Sequence, residues 1–285
     1  MTGPPLPHEA EYVAARKVLL DALMALAPHG RAIIVAGAQA VYLRTGSADL
    51  AVAPFTTDGD LALDPEFLLG DPRLETAMRD AGFHLSQSDG HDEPGVWLSR
   101  TTVDGRTFDI PVDLIVPAAV APPGSRRSAH FPPHEKRAVR RAVGLEAALV
   151  DHDPMIITGL DPTDDRTVTT EIAGVAALLV AKAHKIHDRV AEPGRRRILD
   201  KDAGDIFRLM QTSDVVAIRQ TLSELLAHPM AGDVTATGLR HLLDLFSRPA
   251  SKGTLMAIDS FRSAVPADRV VSITNSFAAS LSSLL

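Results

Sequence analysis

The sequence predicts an α+β fold, with a mixed sheet in its amino-terminal part and helices filling its carboxy-terminal part. Three observations carry that prediction. Between positions 32 and 116, short apolar or alternating runs bounded by Gly, Pro and Asp read as strands, with helical stretches among them. Beyond about position 170 the apolar residues recur at helical spacing almost without interruption. Between the two lies Ala118 to Pro133, rich in Pro, Ser, Arg and Gly, which reads as an exposed connection. It divides the chain into an expected first domain, 1–125, and a second, 126–285.

Glu9 to Leu26 carries Val13, Leu19, Leu20, Leu23 and Leu26 near the helical period and stops at His29-Gly30. Ala32 to Ala36 is a short apolar run, expected as a buried strand. Gly37 turns the chain into a helix from Ala38 to Thr45, closed by Gly46. Ala51 to Pro54 reads as loop and Phe55 to Leu63 as a strand carrying polar groups. Asp71 to Ala81 reads as a helix with Pro72 in its first turn. Phe83 to Ser86 and Val96 to Thr101 read as strands around the turn Asp89-Gly90-His91-Asp92. Thr107 to Val116 is the clearest strand, and Pro111 predicts a free edge or bulge within it. A helical or irregular stretch is expected up to Val150, then a brief apolar piece at Met155–Ile157. Helices are expected over Thr170–Ala191, Leu199–Gln211, Val215–Ala227, Val234–Phe246, Lys252–Phe261 and Ala267–Leu284, with Glu192-Pro193-Gly194 separating the first two.

The composition narrows the function classes. Of the 285 residues, 45% are hydrophobic and 23% charged, ordinary for a folded globular chain. No apolar run approaches the roughly 20 residues of a membrane span, and Met1 to His8 does not read as a secretory signal. With no cysteine, disulfides, thiolate metal sites and cysteine nucleophiles are excluded, and a cytoplasmic protein is expected. The net charge of −7 argues against bulk electrostatic coating of nucleic acid. Local basic patches remain. One comprises Arg126, Arg127, Lys136, Arg137, Arg140 and Arg141, with His130 and His134 between them. The other places Lys182, His184, Lys185, His187, Arg189, Arg195, Arg196, Arg197 and Lys201 within twenty positions.

The chemistry-bearing residues are acidic. Asp58 and Asp60 lie two apart on the expected strand, hence on one face and about 6.5–7 Å apart along it. Asp113 sits among Val112 and Leu114–Val116, where an unpaired charge is expensive unless a cation or basic partner offsets it. Asp109 shares its period but has less apolar neighbours. Oxygen ligands on rigid strands suit Mg²⁺ or Mn²⁺, with triphosphate oxygens completing the coordination. The strand–Gly37–Ala38–helix turn offers backbone amides to a phosphate.

The order Gly37-Ala38, then Thr57-Asp58-Gly59-Asp60-Leu61, then Val112-Asp113-Leu114 resembles the nucleotidyltransferase superfamily with the polymerase-beta-type palm. A helical Lys182 followed by Lys201-Asp202 and Asp205 resembles, more narrowly, the AbiEii-type toxin nucleotidyltransferases of abortive-infection and type IV toxin–antitoxin systems. The resemblance covers roughly residues 30–210. It implies that Asp58, Asp60 and Asp113 hold the metal, and that Gly37, Ala38 and Thr57 line the triphosphate together with Lys182, Lys185 and Arg189. It also implies that Asp202 and Asp205 position the basic groups or act near the incoming hydroxyl. Three positions depart from the family pattern: Ala38 replaces a second Gly or Ser, Pro54 an Arg, and Gly59 a branched residue. The implied activity is NMP transfer from an NTP to a hydroxyl of RNA, a tRNA end or a protein, with an antitoxin as partner. A small-molecule acceptor resembling an aminoglycoside, or a palm kept for binding alone, are the alternatives. His184 and His187 lack the partners of a zinc site, and Trp97 reads as sheet packing.

Overall fold

The computed structural model describes residues 7–46, 56–123, 127–191, 200–261 and 264–285. It separates into two compact units, one of Met1–Ala40, Pro54–Ala142 and His152–Ala173, the other of Val41–Ala53, Val143–Asp151 and Gly174–Leu285. The architecture is α+β, as expected. The division expected at 125/126 is displaced, because strands after that position join the sheet of the first unit.

That sheet has nine strands among the described residues: β1 (Ile33–Ala36), β2 (Gly59–Leu63), β3 (His84–Ser88), β4 (His91–Val103), β5 (Arg106–Pro117), β6 (Ser128–Ala129), β7 (Val139–Ala142), β8 (His152–Thr158) and β9 (Thr167–Ala173). Its main order is β3-β4-β5-β2-β1-β9-β8, with β7 beside β5 and β6 beside β7. The β2–β5, β1–β9 and β5–β7 pairs are parallel; the others are antiparallel. Central strands must be apolar on both faces. Accordingly Ile33, Ile34 and Val35 of β1 and Leu61, Ala62 and Leu63 of β2 are buried. Helix α1 (Pro7–Ala25) packs on this sheet through its buried side, which includes Val18, Leu19 and Leu20. Its Arg16, 4% exposed, donates to Gln39 Oε1 (3.0 Å) and to the Thr158 carbonyl (3.2 Å).

Several local expectations shift. The strand expected from Phe55 begins only at Gly59: its neighbour β1 ends at Ala36, opposite Asp60, and the chain then turns away at Gly37, leaving earlier residues no ladder on that side. Phe55 and the Ala51–Pro54 loop lie outside the described residues. Helix α2 (Gly37–Thr45) follows β1 directly. The helix expected over Asp71–Ala81 is shorter, α3 (Leu74–Asp80), and Pro72 precedes it. At Pro111 the ladder runs to β4 alone, since β2 joins β5 only from Val112, which provides the open side expected of a proline. Ser128 and Ala129, expected as exposed connection, are buried as β6. The stretch to Val150 supplies β7 and a 3-10 turn, Glu146–Leu149. Thr170–Ala173, expected as helix, belongs to β9: the β-branched Thr167-Val168-Thr169-Thr170 run pairs with β8, and Glu171 and Ile172 after it also pair with β1.

Two features of β4 seat β7 beside β5. Gly95 has φ +70, and a Cβ there would lie 2.2 Å from the Arg140 amide nitrogen and 2.6 Å from the Leu114 carbonyl oxygen. Only glycine lets the backbones come that close. Trp97, fully enclosed, donates its indole N–H to the Ala138 carbonyl at 2.9 Å, just before β7.

The second unit holds α4 (Val175–Ala191), α5 (Asp200–Thr212), α6 (Val215–Ala227), α7 (Gly232–Phe246), α8 (Lys252–Phe261) and α9 (Ala267–Leu281), followed by a 3-10 turn. Glycines permit close helix packing: Gly204 of α5 faces Ser260 of α8, and Gly238 of α7 faces Val180 and His184 of α4. Phe207 and Phe261 meet edge to face at 5.0 Å between centroids. Asp214 caps α6, accepting from the Val216 amide at 2.9 Å. Among the described residues no helix is long and apolar enough to cross a membrane.

Candidate functional site

The register of two parallel strands builds the site. Asp60 on β2 stands opposite Asp113 on β5, and Ala36 at the end of β1 stands opposite Asp60 on its other side. Parallel neighbours in register present their side chains to the same face, so the carboxylates of Asp60 and Asp113 are adjacent. Gly37 closes the third side. It holds φ +63, and a Cβ there would lie 1.9 Å from Asp60 Oδ2. Gly59, beside them, lies over Leu19 of α1 and Val112, with 3.3 Å and 3.5 Å available to a Cβ. Asp58 lies just before β2 and takes the Thr56 hydroxyl at 2.5 Å. Thr57 is half-buried between them.

A fourth residue enters the cluster. Arg140 of β7 donates from Nε (3.1 Å) and Nη2 (2.7 Å) to Asp113 Oδ2, and its Nη2 lies 3.9 Å from Asp60 Oδ1. In the sequence Arg140 was one member of a basic patch. The available signal was the short Val139–Ala142 strand, in which two adjacent arginines stand between apolar residues. Most of that patch is engaged. Arg137 pairs with Asp92, Arg141 donates to the Ala118 carbonyl, and buried His134 accepts from the Leu74 amide. Arg126 lies outside the described residues. Asp109 pairs with exposed Arg100, away from the cluster's chemistry.

Burial pushes the Asp113 carboxyl up to about 6, and the charges of Asp60 and Asp58 push the same way against the opposing pull of Arg140. A carboxyl whose folded value is raised contributes most stability below its unfolded value, near 3.9, and loses that contribution as pH rises through about 6. At neutral pH the ionised Asp113 therefore opposes folding. Asp113→Asn removes this titration but also strips Arg140 of its carboxylate, so its stability relative to the wild type is expected to decline as pH falls from about 6 toward 4, any gain being largest at pH 7.5. Urea titrations of both proteins across that range check it; a gain that grows on acidification contradicts the assignment.

As the side chains stand, no three His, Asp or Glu groups among the described residues gather into a set able to hold a metal ion. Arg140, rather than a third acid, completes the cluster.

The second unit has its own ionic network. Lys182 of α4, 3% exposed, donates from Nζ to Asp205 Oδ2 (2.7 Å) and Asp202 Oδ1 (3.1 Å) of α5. Lys185 reaches Asp202 at 3.5 Å, and Arg189 pairs with the other oxygen of Asp202. Burial opposes both charged forms. Asp205 and Asp202 nonetheless hold the Lys182 ammonium above the ordinary lysine range, and Lys182, Lys185 and Arg189 hold Asp202 below the ordinary carboxylate range. His184 bonds to the Val234 carbonyl at 2.9 Å, and His187 stacks on His241 at 3.6 Å, a partner not evident from sequence. The expected positions at Pro54 and Arg195–Arg197 lie outside the described residues. No protein-family model matches this chain, and no curated protein matches it.

Proposed function

We propose that the first unit performs metal-dependent nucleotidyl transfer, moving an NMP from an NTP to an acceptor hydroxyl. The observation that carries this reading is the side-by-side register of Asp60 and Asp113 beneath the Gly37 turn, with Asp60 pressed against that turn. The donor set suits a hard divalent ion. Asp60 and Asp113 offer oxygen donors side by side on central strands, and burial disfavours their like charges unless a cation offsets them. With Arg140 moved aside and triphosphate oxygens completing the coordination, Asp60 and Asp113, joined by Asp58 as the resemblance implies, would hold Mg²⁺ or Mn²⁺, which when bound would polarise the α-phosphate and ease deprotonation of the hydroxyl. The Gly37–Ala38 amides, at the start of α2, would receive phosphate oxygens, and Thr57 lies beside the same motif.

In the proposed step the acceptor oxygen bonds to the α-phosphorus and the bond to the β-phosphate bridging oxygen breaks. Pyrophosphate leaves, and the hydroxyl proton passes to a carboxylate or solvent. Lys182, Lys185, Arg189, Asp202 and Asp205 enter this reading on the AbiEii-type resemblance alone, as do an RNA or tRNA acceptor, an antitoxin partner and a cytoplasmic location.

The presence of Arg140 against Asp113 favours a second reading, a palm kept for binding in which the guanidinium permanently neutralises the acids. One assay separates the two. With labelled NTPs, Mg²⁺ and total RNA and protein as acceptors, the wild type transfers label, and Asp58→Asn/Asp60→Asn loses about a hundredfold or more of that rate. Equal labelling by the double variant overturns the catalytic reading.

A further inference from the structure

We propose that Arg140 is a built-in, displaceable cation that occupies the Asp60–Asp113 pair until a divalent metal and a triphosphate arrive together. The inference rests on the nucleotidyl-transfer reading and deepens it, by coupling metal entry to nucleotide entry.

The backbone fixes where the guanidinium starts. Arg140 stands opposite Ile115 of β5 and opposite Ser128 of β6, and the glycine at position 95 lets its strand lie against β5. The side chain is held less firmly than its backbone. Nε and Nη2 converge on a single oxygen of Asp113, instead of forming the parallel two-oxygen fork that makes Arg–carboxylate pairs most specific. The contact to Asp60 is longer, at 3.9 Å. The Arg140 side chain is 30% exposed, against 13% for Asp60 and 20% for Asp113, so it has the easiest path outward.

A divalent ion and the guanidinium need the same carboxylate oxygens. Metal alone must break the Arg140–Asp113 pair and leave a guanidinium without its counter-charge. A metal–triphosphate brings a replacement partner, because phosphate oxygens match the planar guanidinium donors. Metal and nucleotide therefore help each other bind, and the coupling is reciprocal. Free metal is held back while nucleotide is absent.

The test measures Mn²⁺ binding to the full chain by electron paramagnetic resonance, with and without a non-hydrolysable NTP analogue. Arg140→Gln is expected to bind Mn²⁺ alone about tenfold tighter than the wild type, and to lose most of the enhancement that the analogue gives the wild type. Arg140→Lys keeps the charge and stem without the fork, and is expected between the two. If the glutamine variant fails to fold, as judged by circular dichroism, the lysine variant carries the comparison. Equal or weaker Mn²⁺ affinity in the folded variant, while the wild type binds metal with nucleotide, overturns the displaceable cation alone. Absence of Mn²⁺ binding by every protein, with or without the analogue, overturns both it and the nucleotidyl-transfer reading.

Discussion

Gly37→Ala is expected to lose about 2–4 kcal/mol of stability, the sum of a left-handed backbone and an overpacked contact. Gly37 holds φ +63, where a Cβ meets its own carbonyl, a cost of about 1–2 kcal/mol. The methyl would also fall 1.9 Å from Asp60 Oδ2, 2.7 Å from its Cγ and 2.9 Å from its Cβ. The Asp60 side chain cannot simply swing clear, because its root is part of the obstruction and its strand is paired on both sides. Gly46→Ala supplies the control. That glycine has φ +57 with nothing within 4 Å of its would-be Cβ, so its substitution reports the backbone cost alone. Urea denaturation of both variants should give the larger loss at Gly37, and only Gly37→Ala should also weaken Mn²⁺–nucleotide binding. Equal losses would mean that the turn does not fix Asp60.

This contrast shows which part of the site was legible in the sequence. A strand–glycine–helix turn and two acids two apart can be read from local pattern, because period and turn chemistry are local. Asp113 was legible because a charge inside Val112–Val116 needs a partner. The identity of that partner was not. Arg140 lies 27 residues further on and reaches Asp113 only because β7 pairs with β5, a long-range register that the glycine at 95 and the Trp97–Ala138 bond stabilise. The Asp58–Asp60 pair shows the opposite failure. Local alternation placed both on one strand, whereas the end of β1 at Ala36 limits where that strand can begin. In the fold, α6 and α8 occupy the expected bounds because their amphipathic period is unbroken. The end of the Thr-rich strand β9, Thr170–Ala173, reads as the start of the helix after it, since nothing local reveals that β8 and β1 lie on either side of it. Tertiary pairing overrode the local pattern there.

Lys182→Met is expected to destabilise the second unit by about 3–5 kcal/mol, the usual consequence of removing one partner from a buried ion pair. Methionine keeps the length and packing of the stem, so the loss isolates the ammonium. Asp205 and Asp202 are 2% and 4% exposed, and Lys182 donates to both. Asp202 retains Lys185 and Arg189 after the substitution, whereas the ion pair of Asp205 among the described residues is with Lys182. Most of the cost therefore falls on Asp205, and Lys182→Met/Asp205→Asn should recover a large part of it. The pH dependence has a definite sign. Asp202 is held below its ordinary range, so its contribution is present above about pH 4 and is lost as pH falls further. Lys182 is held above its range, so its contribution is present below about pH 10 and is lost only beyond that. Between those limits the difference between wild type and Lys182→Met should stay nearly constant in urea titrations. A loss below about 1 kcal/mol, the scale of an exposed pair, would show that the network is not closed to water. A loss of the expected size changes how any transfer assay at this position is read. A buried, doubly held ammonium that supports the helices lowers activity on removal whether or not it meets a phosphate. Lys182→Arg, which retains charge but not shape, then separates the two parts of that support: recovery of most of the lost stability assigns it to the charge, and no recovery assigns it to the compact ammonium that fits between Asp202 and Asp205.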